Sequence, residues 1–141
     1  MIQDEFVSDA EAMTALGMRL ARKLSAGDVV LLSGPLGAGK TTLARAIALA
    51  LGWDGPVRSP TFSLIQHLPT QPPLVHADLY RLDSAHGIGL EDVGRESLLL
   101  VEWPERDPDF FDAESSVQVT IAFEGEGRRV TVVWPPHRAK P

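Results

Sequence analysis

The chain has 141 residues, 44% of them hydrophobic and 23% charged, enough for one domain with a single core and too ordinary a mixture for a disordered chain. It has no cysteine, which excludes disulfides, thiolate metal sites and cysteine nucleophiles, and no apolar run approaching the length of a membrane span. A formal net charge of −6, with Arg and Lys scattered and no basic stripe, argues against a surface that grips nucleic acid directly.

The first residues, Met1 to Glu5, are acidic and lack the apolar core of a secretory signal, so a cytoplasmic protein is expected. Glu5-Phe6-Val7 reads as a short edge strand. Ser8 followed by Glu11 has the capping-box form, ahead of a helical stripe of Met13, Leu16, Leu20 and Leu24, with the helix predicted to stop near Ser25-Ala26-Gly27. Asp28 to Ser33 is a short apolar run suited to a buried parallel strand.

Gly34-Pro35-Leu36-Gly37-Ala38-Gly39-Lys40-Thr41-Thr42 follows at once and has the spacing of a phosphate-binding P-loop. A loop that wraps phosphates must turn its backbone N–H groups inward, and glycine tolerates the conformations this needs. Gly34, Leu36, Gly37, Ala38, Gly39, Lys40, Thr41 and Thr42 are therefore the predicted nucleotide-binding residues. Lys40 supplies a point charge for the β- and γ-phosphates, and the Thr41 hydroxyl is a candidate ligand for a Mg²⁺ ion that bridges them. Leu43, Ala44, Ile47, Ala48 and Leu51 then recur at helical spacing up to Gly52. Strand, glycine loop, helix is the context the motif requires, and it predicts a chain that binds a nucleoside triphosphate.

Residues 53 to 61, rich in Gly and Pro, read as a loop. Ser59-Pro60-Thr61 stands where a switch loop would, with a hydroxyl that could reach the γ-phosphate or the ion. A plain proline turn capped by Ser is an equal reading. Phe62 to Leu68 and Leu74 to Tyr80, joined by a proline-rich link, predict an antiparallel pair of strands. Residues 84 to 97 carry little pattern beyond Leu90 and Val93, and predict a loosely held turn or two of helix. Ser97 to Val101 is a second buried strand, running into Glu102-Trp103. Residues 104 to 115 read as a polar surface loop. Val117, Val119, Ile121 and Phe123 alternate, as do Val130, Val132 and Trp134, and Glu124-Gly125-Glu126-Gly127 joins them as a hairpin. The ordered core is expected over about residues 5 to 134, with the chain frayed from Pro135 on.

Triphosphate hydrolysis also needs an acid to hold Mg²⁺ or its waters and to orient the attacking water. Glu102 and Asp78 each close an apolar strand, at the end that opens onto the loop crevice. At least one of them is expected in the site, the other reading being a solvent-facing strand end. Trp103 beside Glu102 is, from its surroundings alone, a packing residue. His67, His76, His86 and His137 form no ligand set, and no Asn-Lys-x-Asp motif for reading guanine is present.

Gly34 to Thr42, Ser59-Pro60-Thr61-Phe62, Asp78-Leu79-Tyr80-Arg81 and Val101-Glu102-Trp103-Pro104, in this order in so short a chain, resemble the bacterial TsaE family, also called YjeE. The resemblance runs from about residue 5 to residue 134. It implies an α/β fold, the P-loop NTPase three-layer sandwich with a mixed parallel and antiparallel sheet, in a single domain spanning residues 1–141. It implies ATP and Mg²⁺ as cofactors, and weak ATP hydrolysis that rises with the partners TsaD and TsaB. Those partners attach threonylcarbamoyl to adenosine 37 of tRNA. The hydrolysis resets the complex, and tRNA is engaged indirectly. By the same resemblance Lys40 holds phosphates, Thr41 and Glu102 hold the metal, Asp78 is a second acid, Thr61 a switch residue, and Trp103 a functional tryptophan. The adenine is expected near Ser8–Ala10 and Gly127-Arg128. Only residues 95–99 separate Gly94 from the Leu100–Trp103 stretch, fewer than the family often has, so the Asp92–Glu96 region reads as a trimmed loop, which bears on docking only if it touches a partner and is expected to leave nucleotide binding intact. A nucleotide-gated binding module and a small-molecule kinase are the competing readings.

Overall fold

The computed structural model describes residues 1–57 and 65–138. One seven-stranded sheet runs through the molecule: β1 (Ile2–Val7), β2 (Val29–Ser33), β3 (Ile65–Leu68), β4 (Leu74–Asp78), β5 (Leu98–Glu102), β6 (Val117–Glu124) and β7 (Gly127–Val133), in spatial order β1-β7-β6-β2-β5-β4-β3. The centre is parallel, β2 lying between β5 and β6 with β4 beyond β5. Both flanks are antiparallel, β3 on β4 and β6-β7-β1 as a meander. The mixed α/β sheet expected from the sequence is thus present, and the central strands read as continuous apolar runs because both of their faces are covered.

Two helices, α1 (Ala10–Ala21) and α2 (Lys40–Ala50), cover one face. Their apolar stripes, Met13, Leu16 and Leu20 on α1 and Leu43, Ala44, Ile47 and Ala48 on α2, pack with Val30, Leu32, Leu98, Leu100, Val119 and Ile121. The helices meet closely at Gly17, where a Cβ would stand 2.6 Å from that of Ala46. Gly17→Val should therefore cost roughly 1–3 kcal/mol by forcing the helices apart, despite valine's better helix propensity. A lowered urea midpoint checks this, and an unchanged one would show that the contact yields freely.

The other face is covered by a layer of turns instead of α-helices. Leu79, Ala85 and Leu90 are buried against Leu31, Val75, Ala77, Leu99 and Val101, with Phe110 and Phe111 packed alongside. Segment 104–115 is accordingly no plain polar loop: it makes two 3-10 turns, Pro104–Arg106 and Ala113–Ser115, and seats its two phenylalanines on the sheet. The turn expected in residues 84–97 is the 3-10 turn Leu90–Asp92, anchored by buried Leu90.

Other boundaries move for local reasons. The cap of α1 is Asp9, not Ser8: Asp9 Oδ1 accepts from Ala12 N at 2.8 Å, so a carboxylate meets the helix's first free N–H groups. α1 stops at Ala21, short of Ser25 to Gly27, and Leu24 is buried from the turn that follows. β4 ends at Asp78 and not Tyr80, because Asp78 Oδ1 accepts from Tyr80 N at 3.0 Å and turns the chain. β1 begins at Ile2, earlier than Glu5, since pairing with β7 continues to Val133 and Trp134 Nε1 donates to Gln3 Oε1 at 2.9 Å. Pro135 is buried and Pro136–Arg138 is a 3-10 turn, so the chain does not fray at Pro135. Among the described residues no helix is long and apolar enough to cross a membrane.

Candidate functional site

The site forms at the C-terminal ends of β2, β4 and β5, where the chain leaves β2 through the glycine loop and enters α2. Gly39 caps α2 with φ 110°, a left-handed conformation that disfavours a side chain, and it offers no side-chain hydrogen bond to the helix. The first N–H groups of α2 are thus left to an external acceptor, with the positive end of the helix dipole behind them. Backbone donors at a helix start are an anion cradle.

Lys40, the first residue of α2, is buried and folded back over this cradle. Its Nζ donates to Gly34 O and, at 3.2 Å, to Pro35 O, and lies 3.8 Å from the centre of the Trp103 ring. Burial pulls the ammonium's pKa below the usual lysine range, opposed by the negative charges of Glu102, Glu105 and Asp78. A bound anion would stabilise the charged form by the same electrostatics.

Glu102 ends β5, is 2% exposed, and points to the helix face because it follows Leu98 and Leu100 at period 2. Its Oε1 lies 3.5 Å from Thr41 Oγ1 and its Oε2 lies 2.7 Å from His76 Nε2. Asp78 is Glu102's direct neighbour across the β4–β5 ladder. The two acids read from the sequence therefore stand side by side at the mouth of the loop. Trp103 is the only non-glycine with positive φ among the described residues, at φ 62°. That turn swings its ring over Lys40 and against Tyr80, with ring centres 4.8 Å apart. It is half-buried, packing on one side and facing the site on the other.

On the far side of the loop lies a cavity of about 400 Å³, lined by Ser8, Asp9, Ala10 and Met13, by Gly37 to Gly39 and Thr42, and by Glu126 to Arg128. These are the two segments expected to flank an adenine, brought together by β1 pairing with β7. Arg128 ties the hairpin to the loop, Nε donating to Ala38 O at 3.1 Å and Nη2 to Gly37 O at 3.2 Å. Leu36, at the loop tip, is 60% exposed.

Of the predicted site residues, Lys40, Thr41, Glu102, Asp78 and Trp103 converge, and Gly37, Ala38, Gly39 and Thr42 line the cavity. Ser59-Pro60-Thr61 and Phe62, with the first part of the strand read over Phe62 to Leu68, lie outside the described residues. The sequence reading misses one contributor. His76 belongs to no ligand set, yet it stands two residues before Asp78 in one strand and hence on the same face. Arg128, expected beside the base, also grips the loop, and that contact depends on the fold.

The donors fit a hard cation: among the described residues no three His, Asp or Glu side chains cluster as metal ligands, but a hydroxyl and a carboxylate oxygen face one space. A Mg²⁺ ion that takes its remaining ligands from phosphates and water needs no fuller protein cage.

Comparison with known proteins shows the family and the fold. The family model described as threonylcarbamoyl adenosine biosynthesis protein TsaE matches residues 7–131. The tRNA threonylcarbamoyladenosine biosynthesis protein TsaE of Nostoc is 36% identical over 138 residues, 92% of this chain and 84% of that one. The protein of the same name from Mycobacterium leprae is 45% identical over 106 residues, 66% of each chain, so the match spans about two thirds of that relative's length. Among solved structures, Bacillus subtilis YdiB superimposes with a TM-score of 0.81 at 27% identity, covering 98% of this chain and 88% of that one. With its loop, paired acids and tryptophan in place, and the family match running over nearly its whole length, the chain belongs to the TsaE family.

Proposed function

We propose that this chain is the Mg²⁺-dependent ATP-binding and ATP-hydrolysing subunit of tRNA threonylcarbamoyladenosine biosynthesis, acting in the cytoplasm with TsaD and TsaB. The observation that carries the reading is the approach of Thr41 Oγ1 to Glu102 Oε1 at the start of α2, beside a lysine held over a glycine cradle. A structural turn ending in Gly-Lys-Thr has no need of a buried carboxylate aimed at its threonine.

In this reading the base and ribose occupy the cavity between α1 and the β6–β7 hairpin, and the phosphates lie along the glycine loop. The N–H groups at the start of α2 bind the phosphate oxygens, and Lys40 exchanges its carbonyl partners for the β- and γ-phosphates. Thr41 and Glu102 would hold a Mg²⁺ ion, which would supply positive charge against the negative charge that develops on the phosphates. Glu102, with Asp78 beside it, accepts hydrogen bonds from the attacking water and orients it. Trp103 covers Lys40 and keeps bulk water from the γ-phosphate side. Thr61 is assigned the switch role. Engagement of tRNA is left to the partners, in keeping with the net charge of −6.

Phosphate release from ATP by the purified chain, alone and with purified TsaB and TsaD, tests this. A slow rate that rises with the partners is expected. Binding of ATP with no rise would move the function to a nucleotide-gated binding module. Phosphate appearing on a metabolite would move it to a kinase.

A further inference from the structure

We infer that His76 is a positioning residue that sets the plane of the Glu102 carboxylate, and so decides how well the site takes a divalent cation with its nucleotide. This inference rests on the nucleotide-and-metal reading of the site and assigns a role within it to a residue outside the loop and the strand-end acids.

β4 presents Leu74, His76 and Asp78 to the helix face at period 2. Leu74 joins the apolar core with Leu98 and Leu100, and another aliphatic residue at position 76 would simply extend that core. The strand places an imidazole there instead, 4% exposed, with Nε2 at 2.7 Å from Glu102 Oε2. A carboxylate accepts and does not donate, so Nε2 carries the proton and is the donor. Pairing with Glu102 thereby selects the ring's protonation site.

The consequence lies in the last torsion of Glu102. A torsion between a tetrahedral carbon and a planar carboxylate has broad, shallow minima, so packing alone leaves the plane of the group poorly defined. One strong donor on Oε2 removes that freedom and leaves Oε1 turned toward Thr41, at 3.5 Å. Carboxylates that serve a metal are commonly oriented in this way, and loss of the orienting bond typically costs about 10–100-fold in metal affinity. The β4–β5 register makes the arrangement possible, since it puts His76 level with Leu100, one period below Glu102.

The experiment is titration of the full chain with ADP, in excess Mg²⁺ and again in EDTA, for the wild type and three variants. Glutamine places its amide nitrogen near the position of Nε2, whereas asparagine is too short to reach and leucine cannot donate. The Mg²⁺-dependent gain in ADP affinity should fall about tenfold or more in His76→Leu and His76→Asn, and stay within about threefold in His76→Gln. Affinity in EDTA should be nearly the same in all four proteins. If His76→Leu does not fold, the glutamine and asparagine variants carry the comparison. A purely structural histidine would lower the melting temperature of the variants while leaving the Mg²⁺ gain intact, and that result overturns the inference. A wild type that binds ADP no better with Mg²⁺ overturns the metal reading itself and the inference with it. A wild type with the gain and variants that keep it overturns the role of His76 alone.

Discussion

Lys40→Ala should abolish tight binding of ATP and ADP while leaving the chain folded. Lys40 is seated over the glycine cradle, and its ammonium is held there by Gly34 O, Pro35 O and the face of Trp103. In the proposed mode of binding, those neutral contacts give way to bonds with phosphate oxygens. A hydrogen bond to a charged group contributes about 1.5–3 kcal/mol, so losing the lysine should weaken affinity by about 10- to 150-fold. Stability should change far less. The variant removes a buried ammonium together with its desolvation cost, and the freed carbonyls lie at a loop that solvent can enter. Calorimetric titration with ADP, beside a thermal melt, separates the two effects. Undiminished affinity in a folded Lys40→Ala chain would place the phosphates somewhere other than this loop.

Glu102→Gln should leave nucleotide binding in EDTA within about threefold and lower phosphate release by about 100-fold or more, the scale of a positioned acid–base group. Glutamine preserves the volume of a side chain that is 2% exposed, and its amide oxygen can still accept from His76. What it loses is the negative charge that, in the proposed function, orients water and holds the cation. The loss should therefore fall on turnover and not on affinity for the nucleotide in EDTA. Single-turnover phosphate release in the presence of TsaB and TsaD is the measurement. A variant that turns over at the wild-type rate would remove Glu102 from the reaction and leave Asp78 as the acid to examine.

These predictions draw on the sequence and the fold in different proportions. The glycine loop was legible because its chemistry is local: backbone donors, a lysine and a threonine come from nine consecutive residues. The central strands were legible because burial on both faces leaves unbroken apolar runs, as in Leu98 to Val101. The β6–β7 hairpin was legible because alternation on either side of Glu124-Gly125-Glu126-Gly127 indicates both the strands and the turn. Element ends were less clear, since they depend on single hydrogen bonds. Asp9 competes with Ser8 for one cap, and Asp78 ends its own strand by accepting from Tyr80. The covering by Phe110 and Phe111 was not legible at all, because a proline-marked polar stretch gives no period by which to tell that two of its residues turn inward.

By itself the sequence determined that this chain carries a Gly-x-x-x-x-Gly-Lys-Thr loop between a buried strand and a helix, within a mixed α/β domain, and that Glu102 and Asp78 close apolar strands. Local periodicity and backbone chemistry suffice for that much. Only the tertiary structure decided which side chains meet. Strand register set Asp78 beside Glu102 and His76 one period below, bringing an imidazole unremarkable in the sequence onto the carboxylate's second oxygen. Pairing of β1 with β7 brought Ser8 to Ala10 opposite Gly127-Arg128 and opened the cavity between them, across more than a hundred residues of chain. A left-handed turn at Trp103 swung its ring over Lys40. Contacts between residues far apart in the chain follow from which strands pair and in what register, and the packing of the whole sheet sets that at once.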